Sequence, residues 1–407
     1  VAIVDQVKFA NALKVRQARR LHYLEQKASK LFMWMPKTYN FTGSSREVVV
    51  QVAPNAGGGN TFAGALLNKG YQRHLKFIVT RGRLYGIGEI DHETIQASRD
   101  QEGGVVKCLD NSLDSANKGF MLRLSMQLWG DHGGARAQVA AGGVAGNVIT
   151  LTDPRETVKF EIGTVIIASA TNGLTGSPYN GSTFVTHVSN ATGEITVDDA
   201  SAINPGTGIA PADFIFGWDE FGSSLYGIRD WIPPTAPSAT PFFNVDRTQH
   251  EVRLAGYRET RTEAIEPALI SFVGNARQYG ADFDSLWMNC VRFTELQKSL
   301  NAVKEVRVDI KDSSGRVVIS YDTIGIRVGG RVVPIMDDPW VPYRYTWGLT
   351  RDSWELACLG QCPHFAEDDG LKLVRSANSD ASEYRLRMWG QPICERPHEN
   401  GVLDLGT

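Results

Sequence analysis

Histidines, cysteines and carboxylates are the residues from which chemistry would be built. Cys358 and Cys362, with His364 beyond them, have half the spacing of a tetrahedral zinc site. The other half would have to be Cys394 and His398, about thirty residues on and outside finger spacing. Scattered structural thiols are the plainer reading. His92-Glu93 opens like a zinc-protease helix, but Gln96 stands where the second histidine belongs. Glu89, Asp91, His92 and Glu93 could ligate a cation, or simply form a polar strand end. Asp337-Asp338, beside Pro339 and Trp340, could be an acid/base or metal pair, or a strand-to-turn junction. Asp309, Asp312 and Gly315 depart from a calcium-loop pattern and suit a hairpin turn. Gly57-Gly58-Gly59 lacks the Gly-Lys-Ser/Thr of a phosphate loop, and Gly82, Gly86 and Gly88 lack dinucleotide-binding spacing. No Gly-x-Ser-x-Gly elbow is present, and the histidines lie apart from one another. The expectation is therefore no enzyme: no catalytic residue, no cofactor and no metal.

The elements that would carry these residues are more informative. The chain has 407 residues, 42 Lys and Arg against 45 Asp and Glu, a net charge of −3 and 42% hydrophobic residues. This allows two or three domains and excludes wholesale disorder or a globally basic nucleic-acid binder. No apolar run reaches membrane-spanning length, and the first residues have no signal-peptide core. Five cysteines in so long a chain fit synthesis in a reducing compartment rather than a disulfide framework. Glycine is abundant at 41 residues, and proline is missing from Asn55 to Asp153. That window calls for something long and regular.

Phe9, Leu13, Leu21 and Leu24 predict an N-terminal amphipathic helix. Its basic residues include Lys8, Lys14, Arg16, Arg19 and Arg20, which suit either a solvated face or an arm lying on an acidic neighbour or near nucleic acid. Val48, Val49, Val50 and Val52 predict a strand, followed by a flexible glycine-rich turn from Pro54 to Asn60. A second strand region from Lys76 to Glu89 makes a long hairpin, which needs something to lie against. Leu109, Leu113, Ala116, Phe120, Leu124 and Leu128 then predict a helix over Val105 to Trp129, about 36 Å long, ended by Gly130. From Gly133 to Gly217, short apolar runs alternate with turn pairs such as Asn180-Gly181 and Thr192-Gly193, which predicts a small all-β unit. A proline-rich linker follows. Helices are expected over Glu266 to Gly280 and from a cap at Asp282 or Asp284 through Leu286, Cys290, Phe293, Leu296 and Leu300. Hairpins are expected around Ser313-Ser314 and Gly329-Gly330, with strands near Tyr343 to Leu349 and Tyr384 to Trp389.

In this order the elements resemble a tailed-bacteriophage major capsid protein of the Hong Kong ninety-seven type. The wording of Phe160-Glu161-Ile162-Gly163, of Val188 to Val197 and of Val333-Pro334-Ile335-Met336-Asp337-Asp338-Pro339-Trp340-Val341-Pro342 is similar to that family. The resemblance implies an α+β fold with an N-terminal arm (1–45), an extended E-loop (46–98) and a spine helix in the peripheral domain (99–132). It further implies an inserted β-rich domain (133–217), with the rest of the peripheral domain and the axial domain in 218–407. The implied function is a structural subunit that assembles as hexamers and pentamers of an icosahedral head around double-stranded DNA. The E-loop, with Asn55, Gly58, Asn60, Phe62, Leu66, Lys69 and Tyr71, would lie over a neighbour's spine helix and peripheral domain. Scaffolding, portal and cement or decoration proteins are the implied further partners, without a membrane, and the host bacterial cytoplasm is the implied place of assembly. Some relatives join subunits covalently through an E-loop lysine; Lys69 lies near the tip, but no matching Asn or Glu is identified. The rival readings are a secreted carbohydrate-binding or carbohydrate-active β-rich protein and another phage structural protein, of tail tube or decoration type.

Overall fold

A computed structural model describes residues 29–93, 108–303, 310–311, 317–318, 324–328, 330–366, 373–375 and 380–406. The basic arm residues Lys8, Lys14, Arg16, Arg19 and Arg20 lie outside the described residues. So does most of the hairpin expected around Ser313.

After a helical turn at Leu31–Trp34 and a two-residue strand at Lys37–Thr38, the chain forms β1 (Ser45–Ala53), the short helix α1 (Phe62–Leu67), β2 (Arg73–Thr80) and β3 (Gly82–Asp91). Helix α2 (Cys108–Trp129) follows. Six strands come next: β4 (Ala137–Ala145), β5 (Val148–Leu151), β6 (Val165–Ser169), β7 (Thr183–Ser189), β8 (Glu194–Val197) and β9 (Phe214–Gly217). The later elements are β10 (Tyr257–Thr260), α3 (Ile265–Gln278), β11 (Ser285–Met288), α4 (Cys290–Val303), β12 (Ile324–Val328) and β13 (Arg331–Asp337). The chain closes with β14 (Tyr345–Leu349), β15 (Trp354–Cys358), β16 (Ala381–Cys394) and β17 (Gly401–Asp404). No described helix is long and apolar enough to cross a membrane.

Contacts divide the chain into two compact units. The smaller holds Tyr85–Leu122 and Pro363–Arg387; the larger holds Ser29–Leu84, Arg123–Cys362 and Met388–Thr407.

In the smaller unit the outer end of β3 pairs with the first half of β16, which also pairs with short strands at His364–Phe365 and Leu373–Arg375. Phe120 and Leu386 are its buried apolar residues beside Gly86, whose added Cβ would lie 3.3 Å from the Phe120 ring. The helical stripe runs on through this unit, with Leu113 and Ala116 half-buried. Leu109 lies in α2, which starts at Cys108 among the described residues.

The larger unit contains a six-stranded mixed sheet, ordered β10-β17-β14-β11-β13-β12. The two-residue alternation of β11 separates its faces. Leu286 and Met288 point into a core with Leu269, Phe272, Val273 and Ala276 of α3 and Leu296 of α4. Trp287 points the other way, 5.6 Å from Trp34 and 5.6 Å from Trp129, which is 5.8 Å from Trp347. Leu124, Leu128 and Trp129 at the end of α2 are fully buried here. The helix expected from Asp282 through Leu300 is corrected: Leu286 is in strand β11, and only α4 is helical. Asp282 and Asp284 are not caps but bind Arg331 at 2.7 and 2.5 Å. Asn289 does the capping, its Oδ1 accepting from Val291 N at 3.0 Å.

Residues 137–217 form a closed barrel, ordered β9-β4-β5-β8-β7-β6. Val139, Ile149, Leu151, Phe160, Ile166, Val185, Ile195 and Ile215 fill it. The Thr192-Gly193 turn requires glycine: its φ is +71°, and an added Cβ would sit 2.8 Å from Pro154. β4 and β9 were not expected as strands.

Candidate functional site

The hairpin has a buried root and an exposed tip. At the root, β1 and β2 pair antiparallel, with Val48 opposite Phe77 and Val50 opposite Leu75. Val48, Val52, Phe77 and Val79 are buried. The Phe77 ring meets Trp231 edge-on at 5.3 Å and Phe242 at 6.3 Å, and Ile78 N donates to Phe243 O at 3.0 Å. Arg253 donates to Val52 O, and Arg73 to Gln249 Oε1 at 2.8 Å. The expected second strand is two strands, because β2 ends at Thr80 and β3 begins at Gly82. Arg81 between them donates to Phe41 O and Gly43 O.

The tip is tied to itself rather than left as a flexible turn. Asn55 Oδ1 accepts from Gly57 N at 2.9 Å, Gly58 N donates to Asn68 O at 3.0 Å, and Asn68 Nδ2 returns a bond to Gly58 O at 2.9 Å. Thr61 caps α1, its Oγ1 accepting from Gly64 N at 3.1 Å. The loop closes only because Gly57 and Gly70 have no side chains: a Cβ on Gly70 would lie 2.1 Å from Gly57 N. Asn55, Gly58, Asn60, Phe62, Leu66, Lys69 and Tyr71 are all exposed. Phe62 is 85% and Leu67 90% exposed, and no residue of α1 is buried. Four large apolar side chains thus stand exposed on a self-bonded tip, and exposed apolar patches of this kind typically mark contact sites.

The start of the described chain is anchored by a buried polar knot. Ser29 Oγ donates to Asp338 Oδ2 at 2.5 Å and accepts from Trp129 Nε1 at 3.1 Å, while Ser29 N donates to Ser125 Oγ at 2.8 Å. Lys30 N and Trp340 N donate to the same carboxylate, at 3.1 and 3.0 Å. Burial pushes Asp338 above its ordinary value against these donors. Lys30 Nζ binds Asp337 at 2.6 Å. The Asp337-Asp338 pair is thus a strand-to-turn junction that holds Ser29 and Lys30. No local spacing announces this knot, since Ser29 and Asp338 are 309 residues apart.

The metal candidates do not gather: among the described residues no group of three or more His, Cys, Asp or Glu could hold an ion. Cys394 pairs with Trp354 while Cys358 pairs with Gly390, which puts the two thiols four ladder steps apart, about 13 Å. Cys358 and Cys362 hydrogen-bond each other, which, with burial, raises Cys358; the bond from Cys358 lowers Cys362. Burial, then Asp337, pushes the Cys290 thiol up to about 12. His92 does find partners, Asp380 Oδ1 at 2.9 Å and Ser382 Oγ at 2.7 Å. The hydrogen bond from His92, then its charge, lowers Asp380. Ser382 is buried on β16, two residues from Asp380, so this trio ties β3 to β16 rather than presenting a nucleophile.

Arg136 and Glu220 form a buried, two-pronged pair at 2.7 and 2.6 Å near the barrel mouth, again with no local signal. Burial alone would raise Glu220, but Arg136, Arg123 and the Gly217 amide bring it below the ordinary carboxylate value.

No protein-family model matches the chain, and no curated protein is similar to it in sequence. Solved structures are similar in fold. The capsid asymmetric unit of cyanophage A-1(L) covers 98% of this chain and 99% of its own, at 9% identity and a TM-score of 0.61. The capsid of an empty GTA particle covers 100% of both chains at 9% identity and a TM-score of 0.50. The chain therefore has the α+β fold of a phage capsid subunit over essentially its whole length.

Proposed function

We propose that this protein is the major capsid subunit of a tailed-phage-type head, a structural rather than catalytic protein. The observation that carries the reading is the hairpin, with its root built into the core and its apolar tip exposed. An isolated subunit gains nothing from such a tip. Covering four large apolar side chains contributes about 1.5–3 kcal/mol each before the costs of association. Repeated around a closed ring, that is ample.

In this reading 46–98 is the E-loop, 99–132 carries the spine helix, 133–217 is the inserted β domain, and 218–407 completes the peripheral and axial domains. The arm is 1–45, and its described end is held by the Ser29–Asp338 knot. Copies assemble as hexamers and pentamers of an icosahedral shell that encloses double-stranded DNA. Scaffolding, portal and cement or decoration proteins are the further partners, and the host cytoplasm is where the shell is built. The test is electron microscopy of the purified protein over a range of concentration and salt. Rings, sheets or closed shells are expected. A monomer under every condition, without scaffold and with it, would overturn the reading.

A further inference from the structure

The barrel carries an apolar row on its outside. Val165 of β6 pairs directly with Phe184 of β7, and Trp218 N donates to Val165 O at 3.1 Å, continuing the β9–β6 register by one residue. Trp218, Val165 and Phe184 thus lie side by side across three strands, 59%, 39% and 44% exposed. Directly opposed side chains on one sheet face form a continuous surface. Ile162, in the turn before β6, is exposed as well. Acidic residues flank the row: Asp198, whose N donates to Phe184 O, Asp219 beside Trp218, and Glu161 beside Ile162.

This local charge belongs to a wider bias. From residue 160 to 228 the chain has seven Asp and Glu, of which Asp213 and Glu220 are buried, and no Lys or Arg. The hairpin is the reverse: from 48 to 88 it has five Lys and Arg and no Asp or Glu, and its one acid, Glu47 near the root, is paired with Lys76. Its exposed apolar residues, Phe62, Leu66, Leu67 and Tyr71, stand beside Lys69 and Arg73. Both surfaces are exposed in the single chain, so neither covers the other within it. The exposed residues described on α2, including Asp114, Ser115, Asn117 and Gly119, are small or polar and offer the tip no apolar counterpart.

We propose that the hairpin tip of one copy seats on the acidic-rimmed apolar row Trp218–Val165–Phe184 of a second copy. This rests on the assembly reading and names the receiving surface. Apolar burial holds the contact, and the opposed charges set its register and partner. Because the two surfaces differ, the contact is head-to-tail, the type that closes into rings.

The experiment replaces Phe62, and separately Leu67, with a photo-reactive benzophenone amino acid and irradiates assembled particles mixed from two isotope labels. Mass spectrometry then identifies the linked peptides. Inter-chain links to peptides containing Val165, Phe184 or Trp218 are expected. The K69E/R73E pair should cut their yield about tenfold, and adding D198K/D219K should restore most of it. Particles whose links run to α2, to another surface, or to the barrel of the same chain would overturn the proposal while leaving assembly intact. Absence of particles in every preparation would overturn the assembly reading, and this proposal with it.

Discussion

The root and the tip of the hairpin are built from similar residues and stabilised in opposite ways. At the root, Val48 and Phe77 face each other across the ladder and sink into the nest of Trp231 and Phe242. At the tip, Phe62 and Leu67 touch solvent, and order comes from Asn55, Asn68, Thr61 and two glycines. The root is made stable by its own chain. The tip is given a shape and stays uncovered by its own chain. Hydrophobicity alone does not separate these roles; burial of the paired face does.

The largest effect is expected at the root. Phe77→Ala should destabilise the folded chain by about 3–5 kcal/mol, read from denaturant unfolding. If it costs no more than a surface change, the root is not anchored as described. The tip should respond locally instead. Gly70→Ala forces a Cβ against Gly57 N. Amide exchange at Gly58, whose N–H is held by Asn68 O, should speed roughly tenfold or more while global unfolding hardly moves.

A pH series probes the base of the root. Asp230 adjoins Trp231, and desolvation, then the charge of Asp131, pushes its carboxyl from 3.8 up to about 8. Between those values the folded chain keeps a proton that the unfolded chain releases. Stability should therefore fall as pH rises through that window, by up to about 1.4 kcal/mol per pH unit. Asp230→Asn should remove that component of the slope; an unchanged slope would show that another group sets it. Smaller still is the exposed Lys76–Glu47 pair, 2.8 Å apart on the outer face. Lys76→Ala should cost about 0.2–1 kcal/mol, and less at high salt.

Much of the architecture was legible in local pattern. The β-branched run at Val48–Val52 and the glycine run after it marked the hairpin. The stripe from Leu113 to Leu128 marked α2, and closely spaced turn pairs marked most of the barrel strands. The pattern misled where one period ran across two elements: Leu286 and Cys290 stand four apart, yet a strand ends and a helix begins between them. The knot at Ser29 and Asp338 and the pair Arg136–Glu220 join residues far apart in sequence, so no spacing could announce them. The opposed charges of hairpin and barrel lay in the sequence throughout, concealed by a net charge of −3.

The proposed role of the tip is to seat on another copy of the chain. Its most direct measurement compares wild type with F62S/L67S by sedimentation and by thermal melting on the same material. Wild type is expected to form large particles and the variant to lose them, while the stability of the unassembled chain changes by no more than about 0.5 kcal/mol. A variant that assembles like wild type would contradict it.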